Sequence, residues 1–311
     1  MLRAKALNDE HKKPMTLWQP LTFGGVAAFA RASLARLFVT ELIFASLAAA
    51  SIVTSARLAV SPPVKEIIRQ LPDSGAILNG HLEWPADAAM ISAESHVVTI
   101  RIDPTGEAEA GQEADLLLVL GPASLSISSQ FSSLIGEMEL PYPTDRLIPL
   151  NRTELQPWWG AWEPPILAGI GVCTALGLMA TWSVLAVLYS LPLWFTAYLA
   201  DRDVNWRGCW RAASAAMLPG ALVMGGAVLL YGLRQLPLPG LMLAAALHVV
   251  IGWIYLIAAP FKFPKKQVST AAGENPFTGL KADTAGDGPK RAANPFAPTS
   301  DEVKREPPNP A

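Results

Sequence analysis

Four stretches of this chain are free of charge, or nearly so, over lengths that would be costly to expose to water. Leu37 to Ala56 carries one charge, Glu41, while Pro165 to Ala200, Ala212 to Gly232 and Leu238 to Ala259 carry none. A helix needs about 20 apolar residues to span a bilayer, and in lipid it satisfies its own backbone. The pattern predicts an α-helical membrane bundle of four transmembrane helices, at 37–56, 165–189, 212–232 and 238–259. The second run would give a helix of roughly 50 Å against a hydrocarbon core of about 30 Å. Its crossing is therefore expected to end at Tyr189, with a break at Pro192. Leu191 to Ala200, with Trp194 and Tyr198, would then lie at the interface.

Composition agrees. Charged residues make up 16% of the 311 residues and the mean hydropathy is +0.30, whereas soluble domains carry about 25% charge. A disordered chain or a coiled coil is excluded as the main reading. A net charge of −2 gives no reason to expect a nucleic-acid partner.

Basic residues set the expected orientation. The first 36 residues hold six Lys or Arg and two acids, and the tail after Pro260 holds eight basic residues. The loop at 201–211 contains Arg202, Arg207 and Arg211. Segment 57–163 has six basic and fifteen acidic residues. Cytoplasmic flanks are enriched in Lys and Arg, so both ends are expected inside and 57–163 outside. The 36-residue start and the long apolar run that follows do not fit a cleaved signal peptide, whose apolar core is about 7–15 residues. Leu21 to Ala30 is a short apolar stretch suited to an interfacial helix.

Segment 57–163 reads as a small α+β domain. Val64, Ile67, Ile68 and Leu71 repeat at helical spacing after Pro62-Pro63. Ala76–Leu78 and His81–Trp84 flank Asn79-Gly80, a strong hairpin signal. Val98, Ile100 and Ile102 alternate with polar residues and stop at Asp103-Pro104-Thr105-Gly106, a turn by composition. Leu116–Leu120 and Leu125–Ser128 look like a second pair around Gly121-Pro122. Trp158, Trp159 and Trp162 precede the second crossing, where an aromatic belt belongs. The cysteines, Cys173 and Cys209, both lie outside this segment, so no disulfide is expected in it.

The runs LPDSGAILNGHLEWP (71–85) and VVTIRIDPTG (97–106) carry a resemblance. With one crossing before them and a helical block after, the chain resembles, over roughly 30–260, the bacterial membrane-protein family filed as domain of unknown function 1189, related to the Yip-type multispanning proteins. The resemblance implies a multi-pass protein of the bacterial inner membrane. Some members are catalogued as maltodextrin-utilisation proteins, which implies a role near carbohydrate uptake and supplies no catalytic residues.

Residues 260–311 are rich in Pro, Gly, Ala, Asn and charge, a composition expected to be disordered. They contain a repeated motif, Asn275-Pro276-Phe277 and Asn294-Pro295-Phe296, read either as a docking motif that presents Phe to a partner or as two turns in a linker. Catalytic signatures are weak. Asp103-Pro-Thr-Gly is a turn before it is a catalytic aspartate. Glu107, Glu109, Glu113 and Asp115 read as a solvated acidic loop, and His81 and His96 have no obvious third ligand. No enzyme and no cofactor is expected. Two groups within the crossings form a candidate intramembrane polar site, Glu41 and His248. Each has a structural alternative: Glu41 reaching boundary water or Arg36, and His248 bonded to a neighbouring helix. The small residues Gly171/Ala175, Ala216/Gly220 and Ala221/Gly225 predict close helix packing, and Pro219 is expected to kink the third crossing. The leading expectation is an accessory or scaffold protein with a partner- or solute-binding outside domain; the runner-up is a transporter or permease component.

Overall fold

The computed structural model describes residues 19–106, 114–129 and 137–266. After a short 3-10 turn at Gln19–Leu21, helices α1 (Phe23–Phe29), α2 (Leu34–Ala59) and α3 (Ser61–Gln70) precede eight short strands. Then come α4 (Arg152–Leu199), α5 (Trp206–Gly232), α6 (Leu238–Ala258) and a 3-10 turn at Ala259–Lys262. Helices α2, α4, α5 and α6 are long and apolar enough to cross a membrane. Polar caps start most of them: Ser33 accepts from Arg36 N–H, Asn151 from Glu154 N–H and Asn205 from Gly208 N–H, which satisfies donors a helix end leaves open.

Helix α5 is the hub, packing against α2, α4 and α6. Its small residues let the neighbours come close. A Cβ on Gly220 would overlap the His248 carbonyl of α6, one on Gly232 would overlap Ser55 of α2, and one on Gly225 would touch Ala48 at 3.5 Å. Ser55 Oγ donates to Val228 O at 2.9 Å, and Trp210 Nε1 donates to Ser183 O of α4 at 3.1 Å. The far side of the bundle is unlike a soluble core. Leu243 of α6 is 71% exposed, Leu256 is its one buried residue, and Val184, Leu188 and Leu199 of α4 are also well exposed. Such continuous apolar surface calls for a lipid covering.

Helix α4 departs from expectation. It runs unbroken for 48 residues through Pro157, Pro164, Pro165 and Pro192, which at 1.5 Å per residue is roughly 70 Å. Pro192 does not end it. Ser190 Oγ bonds Val187 O and Thr196 Oγ1 bonds Pro192 O at 2.6 Å, while Leu193 and Ala197 are buried in the same cluster as Cys209 and Ala212. Packing on α5 outweighs the lost backbone donor, as tertiary context overrides propensity. Leu191–Leu199 is thus the last turns of α4, with Trp194 and Tyr198 stacked at 5.9 Å.

The strands form two sheets. β1 (Ala76–Leu78) lies between β2 (His81–Glu83) and β8 (Ile148–Pro149), and a five-stranded sheet has the order β3-β4-β5-β6-β7. In it β3 (Ile91–Glu94), β4 (Val98–Ile102), β5 (Leu116–Leu120), β6 (Ser124–Ser129) and β7 (Met138–Pro141) pair antiparallel except for the parallel β4–β5 pair. Asn79 and Gly80 both take positive φ, 52° and 82°, as a tight hairpin turn requires. Val98, Ile100 and Ile102 pack with Ile67 and Ile68 of α3, with Leu71 just after it, and also with Leu155 and Trp159 of α4. Trp159 therefore belongs to the strand domain's core rather than to an aromatic belt; Trp158 and Trp162 stay exposed and stack at 6.3 Å. Tyr142 OH donates to Gly121 O at 3.0 Å, and burial pushes its phenol up to about 12, so it remains a donor at neutral pH.

Gly220 and Gly226 separate packing from propensity. Gly220→Ala is expected to lower stability by about 1–3 kcal/mol through overpacking. Gly226→Ala, whose Cβ meets nothing within 4 Å, should leave stability unchanged or raise it by up to about 1 kcal/mol, the helix propensity of Ala over Gly. Thermal unfolding in detergent checks both.

Candidate functional site

Glu41 lies two turns into α2 and is fully buried. Its Oε1 accepts a short hydrogen bond from Ser214 Oγ of α5, and Oε2 is buried with no hydrogen-bond partner among the described residues. Burial rules out the boundary-water reading of this residue. Thr40 beside it turns its hydroxyl to Arg36 O at 2.8 Å, so the neighbouring polar group is satisfied within its own helix. A carboxyl held by one donor in an apolar interior is costly and fixes the register of α2 on α5.

His248 sits midway along α6 with Nδ1 against the Ala245 carbonyl. It lines a cavity of about 210 Å³ between α4, α5 and α6, with Thr181, Trp182, Tyr189, Met217 and Trp253 in the walls. The cavity is mostly apolar, and Thr181 and His248 are among its few polar groups. Glu41 and His248 each have their own partner, Ser214 for Glu41 and the Ala245 carbonyl for His248, and no direct hydrogen bond or ion pair joins the two. Met217 and Ala221, which line the His248 cavity, lie within one or two turns of Ser214 on α5.

A third cluster, at the junction of the strand domain and the bundle, was not singled out by sequence reasoning. His96 precedes β4, Asp115 precedes β5, Tyr231 lies in the last turn of α5 and Arg234 follows that helix. Arg234 Nε donates to His96 Nδ1 at 3.1 Å, which leaves the proton on Nε2 to donate to Tyr231 O at 2.8 Å. The Tyr231 hydroxyl bonds the Asp115 carboxylate, and the His96 and Tyr231 rings meet edge-on at 5.6 Å. Arg234 takes a positive φ of 61° to make this reach. The one available signal was a lone Arg and a helix-end Tyr in a short connection facing an acidic domain. Lys65 and Glu163 add a second clasp at 2.7 Å between α3 and α4.

The remaining candidates fall elsewhere. Asp103 Oδ1 accepts from Thr105 N–H, Thr105 Oγ1 and Gly106 N–H, so its carboxyl is used by the turn. His81 is exposed on β2. Glu107, Glu109, Glu113 and the tail motif at 275–277 and 294–296 lie outside the described residues. Cys173 and Cys209 are both free, the first exposed and the second buried. Among the described residues no group of three His, Cys, Asp or Glu side chains gathers to hold a metal.

Comparison of the chain with protein-family models, curated proteins and solved structures finds no match.

The Glu41–Ser214 contact predicts a mutant cycle. Ser214→Ala leaves both carboxyl oxygens without a donor and should cost about 1–3 kcal/mol. Adding Glu41→Leu should recover most of that loss, because removing both partners leaves nothing unsatisfied. Melting of the purified single and double variants in detergent measures the cycle.

Proposed function

We propose that this chain is a non-enzymatic accessory or scaffold protein of the bacterial inner membrane. Both ends face the cytoplasm, and the strand domain binds a partner or solute on the other side. The membrane-protein family it resembles implies the same layout. The observation that carries the proposal is an open strand edge on a domain clamped to its helices. Among the described residues β7 has a neighbour on one side only. All four of its residues are exposed, and Met138 and Leu140 are apolar. An unpaired strand edge leaves N–H and C=O groups free, and an added strand is a common way to cover one. The junction cluster at His96, Asp115, Tyr231 and Arg234 would hold that edge at a fixed height above the bundle. On the other side, the motifs at Asn275-Pro276-Phe277 and Asn294-Pro295-Phe296 would dock cytoplasmic proteins.

The second reading is a transporter or permease component for a small solute, with a maltodextrin-type carbohydrate as one candidate. The cavity at His248 and Thr181 favours it. Its apolar wall suits a hydrophobic solute better than a sugar, whose hydroxyls would be left unpaired there.

Two experiments decide between these readings. With both native cysteines replaced by Ala, Glu139→Cys should react with a membrane-impermeant maleimide in spheroplasts, and Arg207→Cys only after permeabilisation. Labelling of position 207 first would reverse the orientation. A photo-crosslinking residue at 138 or 140 should give a discrete adduct in intact cells. Its absence, together with maltodextrin uptake by proteoliposomes that is lost in His248→Ala, would favour the transporter.

A further inference from the structure

The end of the bundle away from the strand domain holds a polar cavity of about 380 Å³, formed by the last turn of α1, the α4–α5 connection and the segment after α6. Its walls include Arg31, Arg211, Asp203, Asn205 and Phe263. Its charge is unbalanced, with two guanidinium groups against one carboxylate. Arg211 has five N–H donors to place and makes one hydrogen bond among the described residues, Nη2 to Ala30 O at 2.8 Å; its Nε is buried without a partner. Arg31 approaches Asp203 at 3.7 Å, with both side chains about two-thirds exposed. That is too long for a hydrogen bond and too exposed for a strong ion pair.

Neighbouring basic groups are committed differently. Arg202 turns its guanidinium to Phe263 O at 2.8 Å, which fixes the back wall of the cavity. The positive end of α5 points to the same place, with Asn205 as its cap, and adds to the local preference for an anion. Trp206 and Phe261 are exposed at this end of the bundle, where aromatic side chains sit at headgroup level in a bilayer.

We infer that this cavity binds a phosphate oxyanion between Arg31 and Arg211, as carried by the headgroup of an anionic phospholipid. Guanidinium groups pair with phosphate oxygens through parallel, charge-assisted hydrogen bonds. Basic pockets at helix ends are where anionic headgroups are recognised. Asp203 competes with the ligand for Arg31, so the two acidic groups exclude one another. The site goes beyond the accessory reading and does not depend on it.

The test uses the full-length protein in a neutral detergent, with isothermal titration of two probes, dihexanoyl phosphatidylglycerol and inorganic phosphate. Arg31→Gln should weaken binding about tenfold, the scale of one charge-assisted hydrogen bond. Asp203→Asn should tighten it by roughly two- to fivefold, by removing a weak surface competitor. Neither variant removes the part-buried Arg211–Ala30 hydrogen bond, and an unchanged melting temperature of each variant checks that folding is preserved. A response from phosphatidylglycerol alone identifies a lipid headgroup. An equal response from inorganic phosphate identifies a free anion. If neither probe moves in these opposite directions with the two variants, the proposal is overturned.

Discussion

The structure depends on how closely backbones approach α5. Without a hydrophobic driving force between helices in lipid, packing contacts and interhelical hydrogen bonds hold a bundle together. Gly220, Gly225 and Gly232 give up their side chains on different faces, so that α6 and α2 can both lie against one helix. Ala212, Ala213 and Ala216 share one buried cluster with Val26 and Phe29 of α1 and Leu193 and Ala197 at the end of α4. Helix α5 is half buried while α4 and α6 are mostly open. The Glu41–Ser214 contact works within this frame. It places the one acid of the α2 span against the helix that everything else touches.

Helix α4 joins the two halves of the chain. Its first turns complete the strand domain's core through Leu155 and Trp159, and its last turns complete the bundle core through Leu193 and Ala197. The strand domain is consequently held by covalent continuity with α3 and α4, by the Lys65–Glu163 pair and by the His96 cluster at the end of α5. The first two involve α3 and α4 and the third involves α5, so three helices meet the strand domain.

Much of this was legible in the residues. The four charge-poor runs mark the long helices, the small-residue spacings mark α5 as a packing face, and Asn79-Gly80 and Asp103 to Gly106 mark turns whose φ angles and hydrogen bonds follow from residue type. The failures have a common cause. Pro192 and Trp159 were read from local preference, and tertiary contacts decided both. The junction cluster could not be seen because His96 and Arg234 are 138 positions apart, and pairing of that kind leaves no periodic signal. Glu41 was visible as an anomaly, but its partner Ser214 looked like one more small residue.

The unbroken course of α4 has a mechanical consequence. A continuous helix of roughly 70 Å carries a displacement at one end to the other. When a bilayer thins or thickens, spanning helices adjust by tilting. Any such tilt would swing the far end of this rod through a wide arc and carry the β7 edge sideways with it. Membrane thickness and the position of the β7 edge would thereby be geared to one another.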